Sequence, residues 1–204
     1  MTVTPLRLET DDQLAIGEAL ATLENGGVVV FPTDTVYGLL GGIYHPQAYD
    51  RIFTLKRRDP AKPIALLAGH NSVAATNMLR ALGMHLPQQA LFKAGAATLV
   101  ADPEELAPGT IPTVVSECQP GTVGVRIPAH DALQQLLEEA GGMVWATSVN
   151  ASGAEPAVTS DEVLAAIADL DGDVDCVVLS SSYSRGAPSR VLRLQQGLVS
   201  EIPR

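Results

Sequence analysis

The sequence predicts an α/β domain built on a mixed sheet, and three observations carry that prediction. Short apolar runs at Val28-Val29-Val30-Phe31, Ile64-Ala65-Leu66-Leu67 and Val144 to Thr147 have the length of strands covered on both faces. Segments with helical spacing of apolar residues separate them. The final extended segments, Arg190 to Leu194 and Leu198 to Ile202, are joined by a turn at Gln196-Gly197, so the sheet is mixed rather than purely parallel. With 204 residues, no internal repeat and no low-complexity linker, residues 1–204 are expected to form one domain.

The elements follow in order. Thr10-Asp-Asp-Gln13 reads as a capping box before Leu14, Ala15, Ala19, Leu20 and Leu23 at helical spacing, and Gly26-Gly27 stops that helix. After the strand at 28–31, Pro32 to Thr35 breaks away and Tyr37 to Gly42 bends into another extended segment. Pro46 to Leu55 suits a helix with Ala48, Ile52 and Leu55 on one side. One or two helices are expected around Val73–Leu82 and Pro87–Phe92, then a strand at Ala97 to Val100. The prolines and glycines between Pro103 and Gly121 give 102–121 the composition of a loop. Thr122 to Ile127 alternates as a strand does, and His130-Asp131 opens a helix carrying Leu133, Leu136 and Leu137. A second capping box, Thr159 to Glu162, precedes Val163, Leu164 and Ile167, and Val174 to Leu179 closes as a strand.

Composition excludes several functions. A net charge of −10 argues against a broad nucleic-acid surface, since backbone affinity comes from many Lys and Arg contacts. A local basic pocket on an acidic body still suits ATP or another small anion. Two cysteines, Cys118 and Cys176, without CxxC spacing fit a reduced protein without a disulfide framework. The N-terminus has no signal-peptide core and no apolar stretch is long enough to span a membrane, so a cytoplasmic location is expected. His45, His70, His85 and His130 follow no metal-ligand spacing and suit surface or capping roles. No phosphate loop, dinucleotide fingerprint or Gly-x-Ser-x-Gly elbow occurs, so a nucleotide would need an unconventional pocket.

Three segments carry candidate chemistry. Lys56-Arg57-Arg58-Asp59-Pro60-Ala61-Lys62-Pro63 holds four of the thirteen Lys and Arg residues. With the helix ending near Leu55, Lys56 and Arg58 on extended chain would point to one side and could neutralise a polyphosphate. The same cations also suit a solvated helix C-terminus. In Thr122-Val-Gly-Val-Arg126 one face is apolar, while Thr122, Gly124 and Arg126 share the other; an ordinary half-exposed strand reads the same way. Ser148 and Asn150 follow a buried strand, where α/β sheets bind ligands, as Thr33, Asp34 and Thr35 follow strand 28–31; turns and caps use these residue types too.

Taken together the chain resembles the Sua5/YrdC/YciO family, specifically its threonylcarbamoyl-AMP synthases. The matching pieces are Phe31 to Leu39 (FPTDTVYGL), Leu55 to Pro63 (LKRRDPAKP), Thr122 to Pro128 (TVGVRIP), Ala146 to Gly153 (ATSVNASG) and Gly186 to Ser189 (GAPS), spread over about residues 10 to 202. The resemblance implies a twisted α/β sheet around a large, positively lined cavity. It implies condensation of L-threonine, bicarbonate and ATP, with Mg²⁺, to L-threonylcarbamoyladenylate and pyrophosphate, the product passing to proteins that modify transfer RNA. Lys56 and Arg58 would hold the ATP phosphates, with Thr122, Ser148 and Asn150 completing the nucleotide side. Thr35, Arg126 and Ser189 would bind threonine, Arg126 facing its carboxylate.

Three positions depart from the family pattern. Phe92-Lys-Ala-Gly-Ala-Ala-Thr98 replaces a Trp-Pro-Gly-Pro-type turn, and losing both prolines removes rigidity. Ser148-Val149-Asn150 replaces Ser-Ala-Asn, and Arg190 stands where Thr is common after Gly-x-Pro-Ser. The chain is also expected to be the short form, without the further C-terminal domain of the Sua5 branch. Alternatives are a YciO-like paralogue without this activity, an RNA-binding module, and the same adenylate chemistry on another substrate.

Overall fold

The computed structural model describes residues 6–8, 12–83, 85–151, 153–180 and 188–203. Its centre is a mixed sheet whose strands are β1 (Leu6–Leu8), β2 (Val28–Phe31), β3 (Gly38–Gly42), β4 (Ala65–Ala68), β5 (Ala97–Ala101), β6 (Val123–Arg126), β7 (Met143–Ser148), β8 (Cys176–Ser180), β9 (Arg190–Gln195) and β10 (Leu198–Ile202). Their order is β1-β8-β2-β3-β7-β4-β6-β5-β9-β10. Parallel pairs β1–β8, β2–β8, β4–β6 and β5–β9 mix with antiparallel neighbours, so the expected α/β class with a mixed sheet holds.

Seven helices pack on the two faces: α1 (Gln13–Glu24), α2 (Pro46–Lys56), α3 (Val73–Ala81), α4 (Leu86–Lys93), α5 (Thr113–Cys118), α6 (Asp131–Glu139) and α7 (Ser160–Ala168), counted among the described residues. Strand alternation sends successive residues to opposite faces, and the two faces meet different partners. On one, Val30, Leu39, Leu66, Leu99, Val125 and Trp145 pack with Ile52 and Leu55 of α2, Met78 of α3, Phe92 of α4 and Val115 of α5. On the other, Val29, Phe31, Leu40, Leu67, Val144 and Ala146 pack under Ile16, Ala19 and Leu23 of α1 and Leu133, Leu136 and Leu137 of α6. Among the described residues that second cluster takes nothing from β5, β6 or β9. Among the described residues, no helix of this cluster packs over β5, β6 or β9.

Several expectations need correction. The α1 cap is Asp12, whose carboxylate accepts from Leu14 N at 3.1 Å and Ala15 N at 3.3 Å, satisfying two first-turn amides. Thr10 of the expected box lies outside the described residues. Leu14 and Leu164, counted toward the buried stripes, face solvent. The 102–121 segment is not all loop: a 3₁₀ turn at Pro103–Glu105 and helix α5 interrupt it, and α5 exists because Val115 is buried in the core. Strand β1 has too few residues to show a period. The second capping box is present in full, and His130 caps α6 by accepting from Leu133 N through Nδ1 at 3.3 Å. Burial holds the His130 imidazole below its ordinary pKa, which keeps that nitrogen an acceptor.

One backbone feature aims the basic cluster. Helix α2 runs on to Lys56, and Arg57 then takes a left-handed conformation (φ 47°, ψ 43°). Arg57 N donates to Thr54 O and Arg58 N to Phe53 O, each at 3.0 Å, closing the last turn. The Arg57 side chain meets Asp171 outside at 3.2 Å while the chain reverses and carries Arg58 inward. Left-handed backbone suits glycine and strains a β-branched residue. Arg57→Gly is therefore expected to change stability by less than about 1 kcal/mol, and Arg57→Val to lose about 1–2 kcal/mol, in urea unfolding.

Candidate functional site

The sheet face at β5, β6 and β9 belongs to the floor of a cleft of about 590 Å³, a size that holds a small-molecule ligand. Residues of six strands reach it: Gly38 of β3, Ala65 and Leu67 of β4, Thr98 and Val100 of β5, Gly124 and Arg126 of β6, Ala146, Thr147 and Ser148 of β7, and Val191 of β9. Thr122 joins them just before β6. Registers Val100↔Gly124 and Ala65↔Ala146 bring the small residues together in the middle. A Cβ at Gly124 would lie 3.3 Å from the Thr98 methyl and 3.8 Å from Ala65 Cβ, so glycine keeps the floor low. The in–out reading of Thr122, Gly124 and Arg126 against buried Val123, Val125 and Ile127 agrees with this arrangement.

Arg58 and Lys62 form a basic end of the cleft. The route is not the extended chain expected, because Lys56 is helical and Arg57 supplies the reversal. The Arg58 guanidinium donates through Nε to Lys62 O at 2.9 Å and through Nη2 to Pro63 O at 2.8 Å, binding the loop into a ring. Asp59 caps the same loop, accepting from Ala61 N at 2.9 Å. Lys56 does not line the cleft. It is buried beneath Ser148 and donates through Nζ to the Ser148 carbonyl. Burial, with the nearby Arg58 charge adding to it, pushes the Lys56 pKa down to about 7.

Hydroxyls and a guanidinium form another group. Thr33 and Thr35, on the β2–β3 turn, place Oγ1 atoms 3.1 Å apart, and Thr98 and Ser189 place Oγ atoms 2.8 Å apart. Arg126 is buried to 6 % exposure, donating through Nε to Gly95 O at 2.8 Å and through Nη2 to Asp34 Oδ1 at 2.5 Å. The proline-free segment after α4 is thus held by other means. Gly95 N donates to Phe92 O at 3.2 Å and Ala96 N to Leu91 O at 3.0 Å, Gly95 supplies a φ of 69°, and Arg190 N donates to Ala96 O at 2.9 Å. The Arg190 side chain points away and pairs with Glu201 at the surface.

Of the candidate residues, Thr35, Arg58, Thr122, Arg126, Ser148 and Ser189 come together along one cleft, while Lys56 and Asn150 stand behind its wall. Asn150 donates to Ala151 O at 2.9 Å and Ala154 O at 2.6 Å, shaping the turn that carries Gly153 to the cleft. Gly186 of the last motif lies outside the described residues. Sequence reasoning did not single out Thr98, although it is the one polar residue in its strand, and assigned Lys62 no role. Among the described residues no His, Cys, Asp or Glu lines the cleft, and no cluster of three such groups could hold a metal. No helix among them is long and apolar enough to cross a membrane.

Comparison with known proteins agrees with the fold and the motifs. The Sua5/yciO/yrdC family model, described as "Telomere recombination", matches residues 21–202. A threonylcarbamoyl-AMP synthase of Pyrococcus abyssi is 30 % identical over 92 % of the chain, which spans about half (53 %) of that relative. Another from Alkalilimnicola ehrlichii is 34 % identical over 76 % of the chain and 78 % of its own length. Among solved structures, P. abyssi Sua5 complexed with L-threonine superposes with a TM-score of 0.74 at 23 % identity, covering 98 % of this chain and 56 % of that one. Escherichia coli YciO gives 0.77 at 22 % identity, covering 98 % and 94 %.

The buried Lys56 sets a pH dependence. Its folded pKa of about 7 lies below the ordinary 10.5, so between those values the unfolded chain holds a proton that the folded chain has shed. Stability therefore rises with pH across that window, and the cost of burying the ammonium is fully present below it. Lys56→Met, which removes the charge and keeps the volume, is expected to gain stability relative to the parent at about pH 6. The gain should shrink as pH rises toward 10, in denaturant titrations across that range.

Proposed function

The chain belongs to the Sua5/YciO/YrdC family, and we propose that it condenses L-threonine, bicarbonate and ATP into L-threonylcarbamoyladenylate, releasing pyrophosphate. The observation that carries this reading is one cleft lined together by Arg58, Lys62, Arg126, Thr35 and Ser189. A cationic group suits a polyphosphate, and a guanidinium among hydroxyls suits a small hydroxy amino acid. Relatives named for this synthesis, and the Sua5 structure complexed with L-threonine, point the same way.

In this reading Arg58 and Lys62 hold the triphosphate, and Lys56 backs Ser148 from beneath. Thr122 and Ser148 face the nucleotide, with Asn150 shaping the adjoining turn. Arg126 pairs with the threonine carboxylate while Thr35 and Ser189 bond its polar groups. The threonine amine attacks the carbon of bicarbonate, water leaves, and a carbamate forms. A carbamate oxygen then attacks the α-phosphorus of ATP, and the bond to the β-phosphate oxygen breaks with pyrophosphate as leaving group. No side-chain nucleophile is required, consistent with a lining of hydroxyls, cations and small apolar groups. Positioning two reactants on one rigid face and stabilising developing charge supply the catalysis.

The residues present do not fit a resident Mg²⁺, since no described carboxylate lines the cleft. The ion would enter with ATP, as part of the substrate. The adenylate would serve proteins that transfer threonylcarbamoyl groups to transfer RNA. An RNA-backbone role for the basic cluster is less favoured, because Lys56 is buried, Arg58 is half-buried at the cleft and the chain carries a net charge of −10. A second reading, a YciO-like paralogue with another acceptor, is favoured by the Lys93 to Ala96 segment.

Pyrophosphate release by purified protein, with threonine and bicarbonate supplied or omitted, tests the proposal together with mass spectrometry of the product. Release that needs both, with threonylcarbamoyl adenylate formed, supports it; ATP binding without that product favours the paralogue. Arg126→Ala is expected to raise KM for threonine, and Arg58→Ala KM for ATP, each by about 10- to 100-fold, the worth of a charged hydrogen bond.

A further inference from the structure

Asp34 sits between two residues that line the cleft and faces the other way. Thr33 and Thr35 border the cavity, whereas the buried Asp34 side chain turns inward to the Arg126 guanidinium, whose side chain is buried too. Asp34 Oδ1 holds Arg126 at 2.5 Å on Nη2 and Gly95 O holds it at 2.8 Å on Nε. A planar guanidinium fixed at two neighbouring nitrogens has its plane and its direction set. Three separate segments build this grip: the β2–β3 turn, the end of β6 and the α4–β5 connection. They fit closely, since a Cβ on Gly95 would come within 2.6 Å of Asp34 Oδ2 and 2.8 Å of Ala129 N.

A buried ion pair barely repays its desolvation, so stability is a weak reason for placing one here. Ligand recognition offers a stronger one. Arg126 lines the cleft, and an arginine free to rotate would lose side-chain entropy on meeting a carboxylate. We infer that Asp34 is a positioning residue, which sets the Arg126 guanidinium in advance for the α-carboxylate of the amino acid. It does not touch the substrate; it acts through Arg126, and the inference rests on the threonine reading of that residue. Its effect falls on amino-acid binding and spares ATP, because Arg58 and Lys62 are held by carbonyls of their own loop or lie on it.

Two measurements test this. The first is calorimetric titration of L-threonine and, separately, ATP into the parent, Asp34→Asn, Arg126→Lys and the double variant. Asp34→Asn keeps shape and an acceptor oxygen but loses the charge. Threonine affinity is expected to fall about tenfold while ATP affinity stays within about twofold. The double variant should bind threonine no worse than Arg126→Lys alone, as two residues acting through one contact must. Equal losses for both ligands, or full additivity, would overturn the inference.

The second measurement needs no ligand. In the parent protein the Arg126 Nε–H should give a resolved nitrogen-correlated resonance with slow exchange, and Asp34→Asn should shift and quicken it. A rapidly exchanging, averaged Nε–H in the parent would sink the positioning role even if no variant folds. Should the parent fail to bind threonine while that resonance behaves as expected, the threonine reading falls and the orientation of Arg126 by Asp34 stands.

Discussion

The structure rests on a mismatch in coverage between the two faces of one sheet. Helices α2, α3, α4 and α5 bury one face through β4, β6 and β5, while α1 and α6 cover the other face only as far as β4. Because a strand alternates, β5, β6 and β7 must satisfy both conditions residue by residue. Leu99, Val125 and Trp145 enter a dry core, while their neighbours Thr98, Gly124 and Ala146 stay small or polar and border the cleft. The floor of the cleft is therefore sheet, and turns such as those carrying Thr33, Arg58 and Ser189 complete its rim. Its floor inherits the rigidity of close-packed strands, as the proposed reaction of two bound reactants would need.

Electrostatics follow from that geometry. On a chain of net charge −10, cations would ordinarily be neutralised by surface carboxylates, as Arg51 is by Asp175 and Arg190 by Glu201. In the cleft the pairing differs. Arg58 donates to the carbonyls of Lys62 and Pro63, so neutral acceptors fix its position without cancelling its charge, while Lys56 stays buried behind the wall on the Ser148 carbonyl. A carbonyl dipole orients a cation and leaves its field available to an anion. Arg126 is treated otherwise, with a carboxylate in contact. The basic loop thus keeps the stronger pull for a highly charged ligand, and the Arg126 neighbourhood suits a singly charged one.

How far this was legible depends on the range over which each signal acts. The division of Thr122, Gly124 and Arg126 from Val123, Val125 and Ile127 was readable because a period of two is local. So were the strand at 28–31 and the capping box at Thr159. The path of the basic cluster was not, because a left-handed Arg57 carries no glycine to announce it. Helix α5 was hidden by the surrounding prolines and glycines, and its formation depends on burying Val115 against distant elements. The Asp34–Arg126 contact joins residues 92 apart, which only the strand order brings together. Ordered motifs placed most of the cleft lining, but not which residues face the ligand and which, like Lys56, stand behind it.

The proline-free segment after α4 shows how one rigidity replaces another. Prolines stiffen a turn by restricting φ in folded and unfolded chain alike, whatever surrounds it. Here Lys93 to Ala96 carries no proline, and besides the left-handed Gly95 its shape comes from contacts: the closing bonds of α4, the Arg190 amide on Ala96 O, and Arg126 on Gly95 O. Stiffness built from contacts depends on the partners staying in place. Arg126 serves both the cleft and this segment, so a ligand that draws on Arg126 also loads the wall beside it. In a proline-rich turn the wall would be indifferent to that event. In this chain the wall and the guanidinium share one set of hydrogen bonds.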